Sequence, residues 1–442
     1  MSDVQKLEEL LETGKEENVQ LALQLAESQG VSLDLSPYYH FYEWWRQLRL
    51  EVEPVNSPLE LLLALLNLQV LDLSSLHLKE VPESIGCLKN LQALHLSYNY
   101  LTSLPDSLGA LHNLRFLDLS DNRLEQLPNS LTQLYHLNYL YLNRNNLLSL
   151  PAAKKAWPQL SVLLVAENRL SALPDYICAC RELLILNAPK NLLQQLPKHI
   201  GQLRRLEQLD VSDNQLKELP ESLGQCIRLE VIEATHNRLE QLPANIGQLT
   251  LLVKLNLFNN SIRQLPPDLA SLQQLQQLHL GLNQLTQLPD AITQLKQLQE
   301  LTLNHNKLTA LPKEIGQLSS LRHLNVARNQ LEDLPTSMKQ LYALQQLHLD
   351  NNKFKTLPLD VANLGQLQQL TLSYNQLETL PRSVGQLQQL KLLLVKHNCL
   401  KLLPLELAQL PQLTELNAQE NPLQLQPLLR QTLQEQVGLL ML

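Results

Sequence analysis

The chain has 442 residues, of which 44% are hydrophobic and only 4% aromatic, and its formal net charge is −8. Residues 1–67 hold 4 Lys+Arg against 12 Asp+Glu, which accounts for the whole net charge, and the remaining 31 basic and 31 acidic residues cancel. The repeats therefore carry no excess of basic residues that could form a positively charged stripe. This composition argues against nucleic-acid binding through phosphate contacts.

The cysteines and the amino-terminal sequence bear on the cellular compartment. Five cysteines are an odd number, and their spacing matches neither a disulfide framework nor a zinc site. The first residues, MSDVQKLEELLETGK, are acidic and lack the basic and apolar regions of a secretory signal. No apolar run approaches the roughly 18 residues that a membrane-spanning helix needs. The sequence therefore predicts a cytoplasmic protein without a membrane contact.

Residues 1–67 are predicted to form an acidic, helical N-terminal cap. Leucines recur there at helical spacing, and Gly30 is typical of a helix end. Six aromatic residues then fall within eight positions: Tyr38, Tyr39, Phe41, Tyr42, Trp44 and Trp45. Bulky side chains are needed where a stack of repeats would otherwise expose its first apolar layer. The alternative interpretation is that these aromatic residues line a groove for a partner.

From residue 68 to residue 412, one 23-residue pattern recurs fifteen times without an insertion or deletion. One copy, residues 114–136, reads LRFLDLSDNRLEQLPNSLTQLYH. The alternation in its first half places Leu117 and Leu119 on one side of a short strand. The side-chain amide of Asn122, which both donates and accepts, can pair backbone groups left free where the strand turns. The period therefore predicts a stack of identical layers.

This frame, LxxLxLxxNxLxxLPxxIGxLxx, resembles the leucine-rich-repeat family throughout residues 68–412. Its second half, seen as PKEIGQL in 312–318, is similar to the subtype of bacterial intracellular, plant Ras-group-related and animal Ras-scaffold repeat proteins. The resemblance implies an α/β solenoid, or horseshoe, with a concave parallel β-sheet, short convex helical or 3-10 segments and a helical N-terminal cap. It also implies a protein-binding role without identifying the partner.

The solenoid is predicted to span residues 68–427, as fifteen full repeats and a partial sixteenth. The pattern decays after Asn421, and Pro427 precedes the amphipathic sequence LLRQTLQEQVGLLML. We therefore expect residues 428–442 to form a C-terminal capping helix that covers the last leucine layer.

Function in such a scaffold is expected at the outward strand positions, because the inward positions form the core. Since neighbouring strands lie about 4.8 Å apart, the outward side chains of four copies are predicted to form one apolar patch: Phe116, Tyr139, Tyr141, Val162, Leu164 and Ile185. Its predicted rim is charged: Asp118, Arg144, Lys190 and Asp210. In the alternative interpretation, these apolar residues are merely tolerated there or are covered by the leading segment.

The sequence predicts neither a catalytic residue nor a cofactor or metal site. It contains no nucleotide-binding loop, zinc-protease motif or nucleophile elbow. Of the outward histidines, only His323 and His348 are expected to be neighbours, and two ligands are too few for a metal site. All four are interpreted as solvated surface residues: His95, His279, His323 and His348.

Together these observations predict a non-catalytic, intracellular signalling scaffold that binds a protein partner on its concave face as a monomer. Neither nucleic acid nor a membrane is expected as a partner. The alternative function is an effector or adaptor whose repeats direct an enzymatic activity, such as ubiquitin transfer or phosphatase or GTPase signalling. We consider the flanks too short for a catalytic domain. A surface adhesin is disfavoured by the missing signal.

Overall fold

The computed structural model describes residues 3–48, 54–153, 157–357, 359–424 and 427–442. Its contacts divide the chain into two compact units.

The first unit comprises Met1–Gln208 and begins with four helices. These are α1 (Asp3–Glu12), α2 (Glu16–Gln29), α3 (Ser36–Gln47) and α4 (Pro58–Leu66). Of the six clustered aromatic residues, Tyr38, Phe41 and Tyr42 are buried, whereas the other three are exposed or half-buried. Helix α3 packs against α4 and against the 3-10 turn Glu83–Cys87 of the first repeat. Half of the aromatic cluster therefore joins the helices to the repeats.

Six three-residue strands follow in this unit: β1 (Val70–Asp72), β2 (Ala93–His95), β3 (Phe116–Asp118), β4 (Tyr139–Tyr141), β5 (Val162–Leu164) and β6 (Ile185–Asn187). Each pairs in parallel with the next at an offset of one 23-residue repeat. Most repeats return through a 3-10 turn that begins after the Leu-Pro step, because proline lacks the N–H that would continue a longer helix. Strand β7 (Gln208–Asp210) lies at the division between the units.

Layers of buried leucines and stacked asparagine side chains hold successive repeats together, as the sequence predicts. We call each of these asparagines, one per repeat, an asparagine rung. Leu117 and Leu119 are fully buried. The Asn122 Oδ1 atom accepts the backbone N–H of Leu101 at 3.0 Å, and its Nδ2 donates to the carbonyl oxygen of Leu96 at 2.8 Å. Both partners belong to the preceding repeat, so the side chain pairs backbone groups that the strands leave unsatisfied.

The second unit comprises Leu209–Leu442 and repeats the same architecture. Its strands are β8 (Val231–Glu233), β9 (Lys254–Asn256), β10 (Gln277–His279), β11 (Glu300–Thr302), β12 (His323–Asn325), β13 (Gln346–His348), β14 (Gln369–Thr371), β15 (Leu392–Leu394) and β16 (Glu415–Asn417). They too pair in parallel with a 23-residue offset. In both units the core therefore lies between the sheet and the 3-10 turns.

The carboxyl-terminal segment differs from the helix predicted for residues 428–442. Helix α5 (Pro427–Gln436) ends before Gly438, and strand β17 (Leu439–Met441) then pairs in parallel with β16. The N–H of Ala418 donates to the Met441 carbonyl at 2.7 Å, and that of Leu439 donates to the Thr414 carbonyl at 2.9 Å. The physical reason is that a strand can pair the free backbone edge of β16, whereas a continued helix cannot.

One position in each repeat, the residue before the asparagine, has a left-handed backbone. It is Asn259 (φ 56°) in one repeat and Leu282 (φ 54°) in the next. Because this region suits asparagine and strains a branched residue, we expect Leu282→Asn to stabilise the protein by about 0.5–1 kcal/mol. The reciprocal change, Asn259→Leu, should destabilise it by a similar amount. Urea unfolding checks both, and two changes of the same sign would contradict this account.

Candidate protein-binding surface

The structure brings the six predicted apolar residues onto one face of β3 to β6. Register pairs Phe116 with Tyr139, Tyr139 with Val162, and Val162 with Ile185. In the second outward row, Tyr141 lies beside Leu164. We call this set the apolar patch: Phe116, Tyr139, Tyr141, Val162, Leu164 and Ile185.

Three aromatic rings form the centre of the apolar patch. The ring centroid of Phe116 lies 6.1 Å from that of Tyr139 and 5.1 Å from that of Tyr141, the second contact being edge-on. Edge-to-face contacts at such distances stabilise aromatic pairs beyond their area burial. Tyr139 remains 42% exposed, and the other five members are half-buried although no leucine layer covers them. The patch therefore presents pre-arranged apolar area.

His95 extends the apolar patch by one strand, which the sequence reasoning missed. Its ring lies 4.7 Å from that of Phe116, although we predicted a solvated surface histidine. The signal was present in the sequence, because His95 occupies the outward position of β2 that Asp118 occupies in β3. The register could have placed His95 on the patch side of β2, whereas its diagonal contact with Phe116 depends on side-chain conformation.

The charged residues predicted as a rim already have partners within the chain. Asp118 accepts the backbone N–H of Ser120 at 2.9 Å. Arg144 lies between two carboxylates, 3.3 Å from Asp121 and 3.6 Å from Glu167. Lys190 is 3.2 Å from the other oxygen of Glu167.

The charged residues of these ion pairs occupy the left-handed backbone position of successive repeats. Their charges alternate in sign from one repeat to the next. Because the pairs are exposed, they contribute little stability. What they do is neutralise that edge of the patch.

The electrostatic environment of the patch is consistent with recognition rather than with acid–base chemistry. Burial, together with Tyr139 and Asp118, raises the pKa of the Tyr141 hydroxyl above its usual value, so this group stays neutral. The hydrogen bond to Asp121 raises the pKa of the Arg144 guanidinium, which stays charged.

Asp210, the fourth predicted rim residue, belongs to the second unit. Its side chain accepts the backbone N–H of Ser212 at 3.0 Å, and burial raises the pKa of its carboxyl group.

Outward positions of the second unit are predominantly polar and pair with one another. Lys254 forms an ion pair with Glu233 at 2.5 Å. His279 and His348 are half-buried, not solvated as predicted, and each Nδ1 lies 3.1 Å from a threonine hydroxyl of the next strand. Burial lowers the pKa of both imidazoles. Within the part of the chain that is described, no three His, Cys, Asp or Glu side chains could hold a metal ion.

The five cysteines carry free thiols, and only Cys399 is exposed. Burial raises the pKa of the Cys87 thiol to about 12 and that of the Cys178 thiol to about 11. Thiols with such pKa values are poor nucleophiles.

Among the helices that the structure describes, none is both long and apolar enough to cross a membrane.

Sequence comparison identifies the class of protein that this fold and surface define. The family described as "Leucine rich repeat" matches residues 66–147, 250–354 and 365–423 in overlapping segments, and a second pattern of that description matches residues 205–226. These matches cover more than half of the chain. The chain therefore belongs to the leucine-rich-repeat family, whose members are generally non-catalytic scaffolds that bind proteins. No curated protein matches the sequence significantly.

Solved structures show the same architecture. A leucine-rich-repeat protein of Leptospira interrogans is 36% identical, with a TM-score of 0.78, and the match covers 88% of this chain and 99% of that one. The plant peptide hormone receptor RGFR1, solved in complex with RGF2, is 28% identical over 81% of this chain and 60% of its own, with a TM-score of 0.71. InlJ from Listeria monocytogenes, at 23% identity and a TM-score of 0.61, shares the fold, covering 80% and 68% of the two chains. The predicted fold class, a leucine-rich-repeat solenoid with an N-terminal helical region, is confirmed.

Proposed function

We propose that this protein is a non-catalytic intracellular scaffold that binds a protein partner through the apolar patch, which lies on the face of β3 to β6 that points away from the leucine core. The observation that carries the proposal is the cluster of Phe116, Tyr139 and Tyr141, whose rings contact one another outside the leucine core. Exposed apolar patches mark interaction surfaces, and tyrosine is enriched among the residues that dominate binding energy.

Packing in the free protein also favours this surface. Because Phe116 holds both tyrosine rings, a partner would not bear the full entropic cost of immobilising them. The ion-pair row formed by Arg144, Glu167 and their neighbours is internally neutral, so shape and apolar area would contribute more to affinity than net charge.

Related proteins and the cysteines supply further support. RGFR1 is a peptide hormone receptor solved with RGF2 bound, so a protein similar to this chain in fold binds a polypeptide. Five free cysteines, one of them exposed, fit a compartment that keeps thiols reduced. In this proposal the chain acts as a monomer and contacts neither nucleic acid nor membrane.

The proposal predicts that a carboxylate placed in the apolar patch weakens partner binding. A partner would first be isolated by crosslinking and mass spectrometry from the native host. We expect Tyr139→Glu and Leu164→Glu each to lower its affinity by at least about tenfold, because an unpaired charge would be buried in the interface. Gln277→Glu is the matched control. Gln277 lies in the second unit, at the repeat position that Tyr139 occupies in the first.

Circular dichroism and thermal unfolding would establish that each variant is folded. Unchanged affinity in both patch variants, with the fold intact, would rule out the apolar patch as the binding site. An equal loss of affinity in Gln277→Glu would show that the effect is not specific to the patch.

A further inference from the structure

A pocket of about 380 Å³ lies where the amino-terminal helices meet the first two repeats, away from the apolar patch. Helix α1, the segment before α3 and the start of α3 form one wall. The 3-10 turns Glu83–Cys87 and Asp106–Ala110 form the other. Its volume falls within the range of pockets that bind small molecules or single side chains.

The floor of this pocket is apolar. Leu11, Tyr38 and Cys87 line it and are 3%, 9% and 6% exposed, respectively. Leu33 and Pro37 continue the apolar wall toward the opening and are half-buried. Such a floor favours a hydrocarbon stem over a compact, strongly hydrated ion.

Carboxylates dominate the opening. Glu8 and Glu12, one helical turn apart on α1, line the pocket and are exposed. Neither forms an ion pair with any residue that the structure describes. The other two carboxylates of the lining already accept hydrogen bonds. Glu83 accepts the backbone N–H groups of Asp106 and Ser107 at 3.3 and 3.0 Å, and Asp34 accepts the N–H and hydroxyl of Ser36 at 3.0 and 2.6 Å. The charge at the opening therefore favours a cation, and Glu8 and Glu12 are the groups available to it.

Two further side chains bear on the ligand. The Ser107 hydroxyl lines the pocket, is shielded from solvent and has no hydrogen-bond partner among the described residues. Because this oxygen is shielded, the proposed contacts rest on the carboxylates and the apolar floor. Lys89 is the one basic residue in the lining, and its positive charge opposes a bound cation.

We propose that this pocket binds an ammonium or guanidinium group carried on a hydrocarbon stem, with the stem on Leu11 and Tyr38 and the cation beside Glu8 and Glu12. Apolar contact would hold the stem, and the two carboxylates would select its charged end. Such a group could come from a free alkylamine or from a lysine or arginine side chain of a basic peptide. This proposal does not depend on the apolar patch.

Titration of the full-length protein with n-hexylamine and n-hexanol tests the proposal, because the two probes differ mainly in charge. Fluorine NMR of fluorotyrosine-labelled protein would follow the Tyr38 signal, assigned by Tyr38→Phe. We expect hexylamine to bind several-fold more tightly than hexanol. Glu8→Gln and Glu12→Gln should each weaken hexylamine binding by about two- to fivefold, the range for exposed ion pairs.

Two control variants distinguish selection for a positive charge in the pocket from non-specific binding. Glu9→Gln alters an exposed carboxylate of the same helix that does not line the pocket, and it should leave the affinity unchanged. Lys89→Met removes the opposing charge and should strengthen hexylamine binding by about the same factor that Glu8→Gln weakens it. Equal binding of the two probes, or no response to Glu8→Gln and Glu12→Gln together, would overturn the proposal.

A third probe distinguishes the two sources of the cation. N-acetyl-lysine methylamide presents the lysine stem with flanking peptide groups. Tighter binding than hexylamine would indicate a peptide side chain, whereas weaker binding would indicate a free amine. If neither compound binds at millimolar concentration, the pocket does not have this role.

Discussion

Replacing Gly316 by alanine is expected to destabilise the protein by about 3 kcal/mol or more. Gly316 lies in the 3-10 turn Ile315–Gln317, and an added Cβ would lie 1.9 Å from the carbonyl oxygen of Ser337 in the next repeat. The same turn is fixed by the Gly316 N–H, which donates to the Ser337 hydroxyl at 3.1 Å. Because the clashing atom belongs to the backbone, no side-chain rotation can relieve the contact.

Gly365→Ala is the control for this substitution, because no heavy atom lies within 4 Å of its added Cβ. It should change the free energy of unfolding by less than about 0.5 kcal/mol. Urea unfolding of the two variants gives the comparison. Equal stability of Gly316→Ala and wild type would mean that adjacent 3-10 turns do not contact through their backbones.

The second large effect is expected for Asn283→Ala, which should cost about 2–4 kcal/mol. The Asn283 Oδ1 atom accepts the N–H of Ile262 at 2.9 Å, and Nδ2 donates to the Leu257 carbonyl at 2.9 Å and to that of Leu280 at 3.1 Å. The side chain is only 8% exposed, so water cannot readily replace these bonds. Alanine would leave several buried backbone groups unpaired.

Asn421 provides a matched comparison at the last rung. It makes the corresponding bonds to Leu400 and Val395, at 3.0 and 2.9 Å, but it is only half-buried. Water should therefore replace its amide in Asn421→Ala, and the loss measured by urea unfolding should be smaller. Equal losses at the two positions would show that burial of the rung does not determine its contribution.

Periodicity explains why much of the fold was predictable from the sequence. Since every repeat has the same length, one assignment of Leu117 to the core and Asn122 to the rung carries over to all others. The predicted apolar patch followed from the same register, because outward residues 23 positions apart become neighbours.

Features outside the period could not be predicted in the same way. The end of α5 and the strand Leu439–Met441 depend on pairing with one particular edge, β16, which no repeat pattern encodes. The contact between His95 and Phe116 and the partners of Arg144 depend on side-chain conformations. The pocket beneath α1 arises from packing of non-repeated helices on repeated turns, so no column of the repeat reveals it.

Photo-crosslinking tests the proposed binding surface most directly. A photoreactive phenylalanine analogue would replace either Tyr139, which is 42% exposed in the apolar patch, or Tyr135, which is 55% exposed in the turn before β4. The two sites share residue type and belong to the same repeat region, one in the turn before β4 and one in β4, but only Tyr139 belongs to the patch. If a partner binds the apolar patch, position 139 crosslinks to it and position 135 does not. Crosslinks from position 135 alone, or equally from both, would contradict the account.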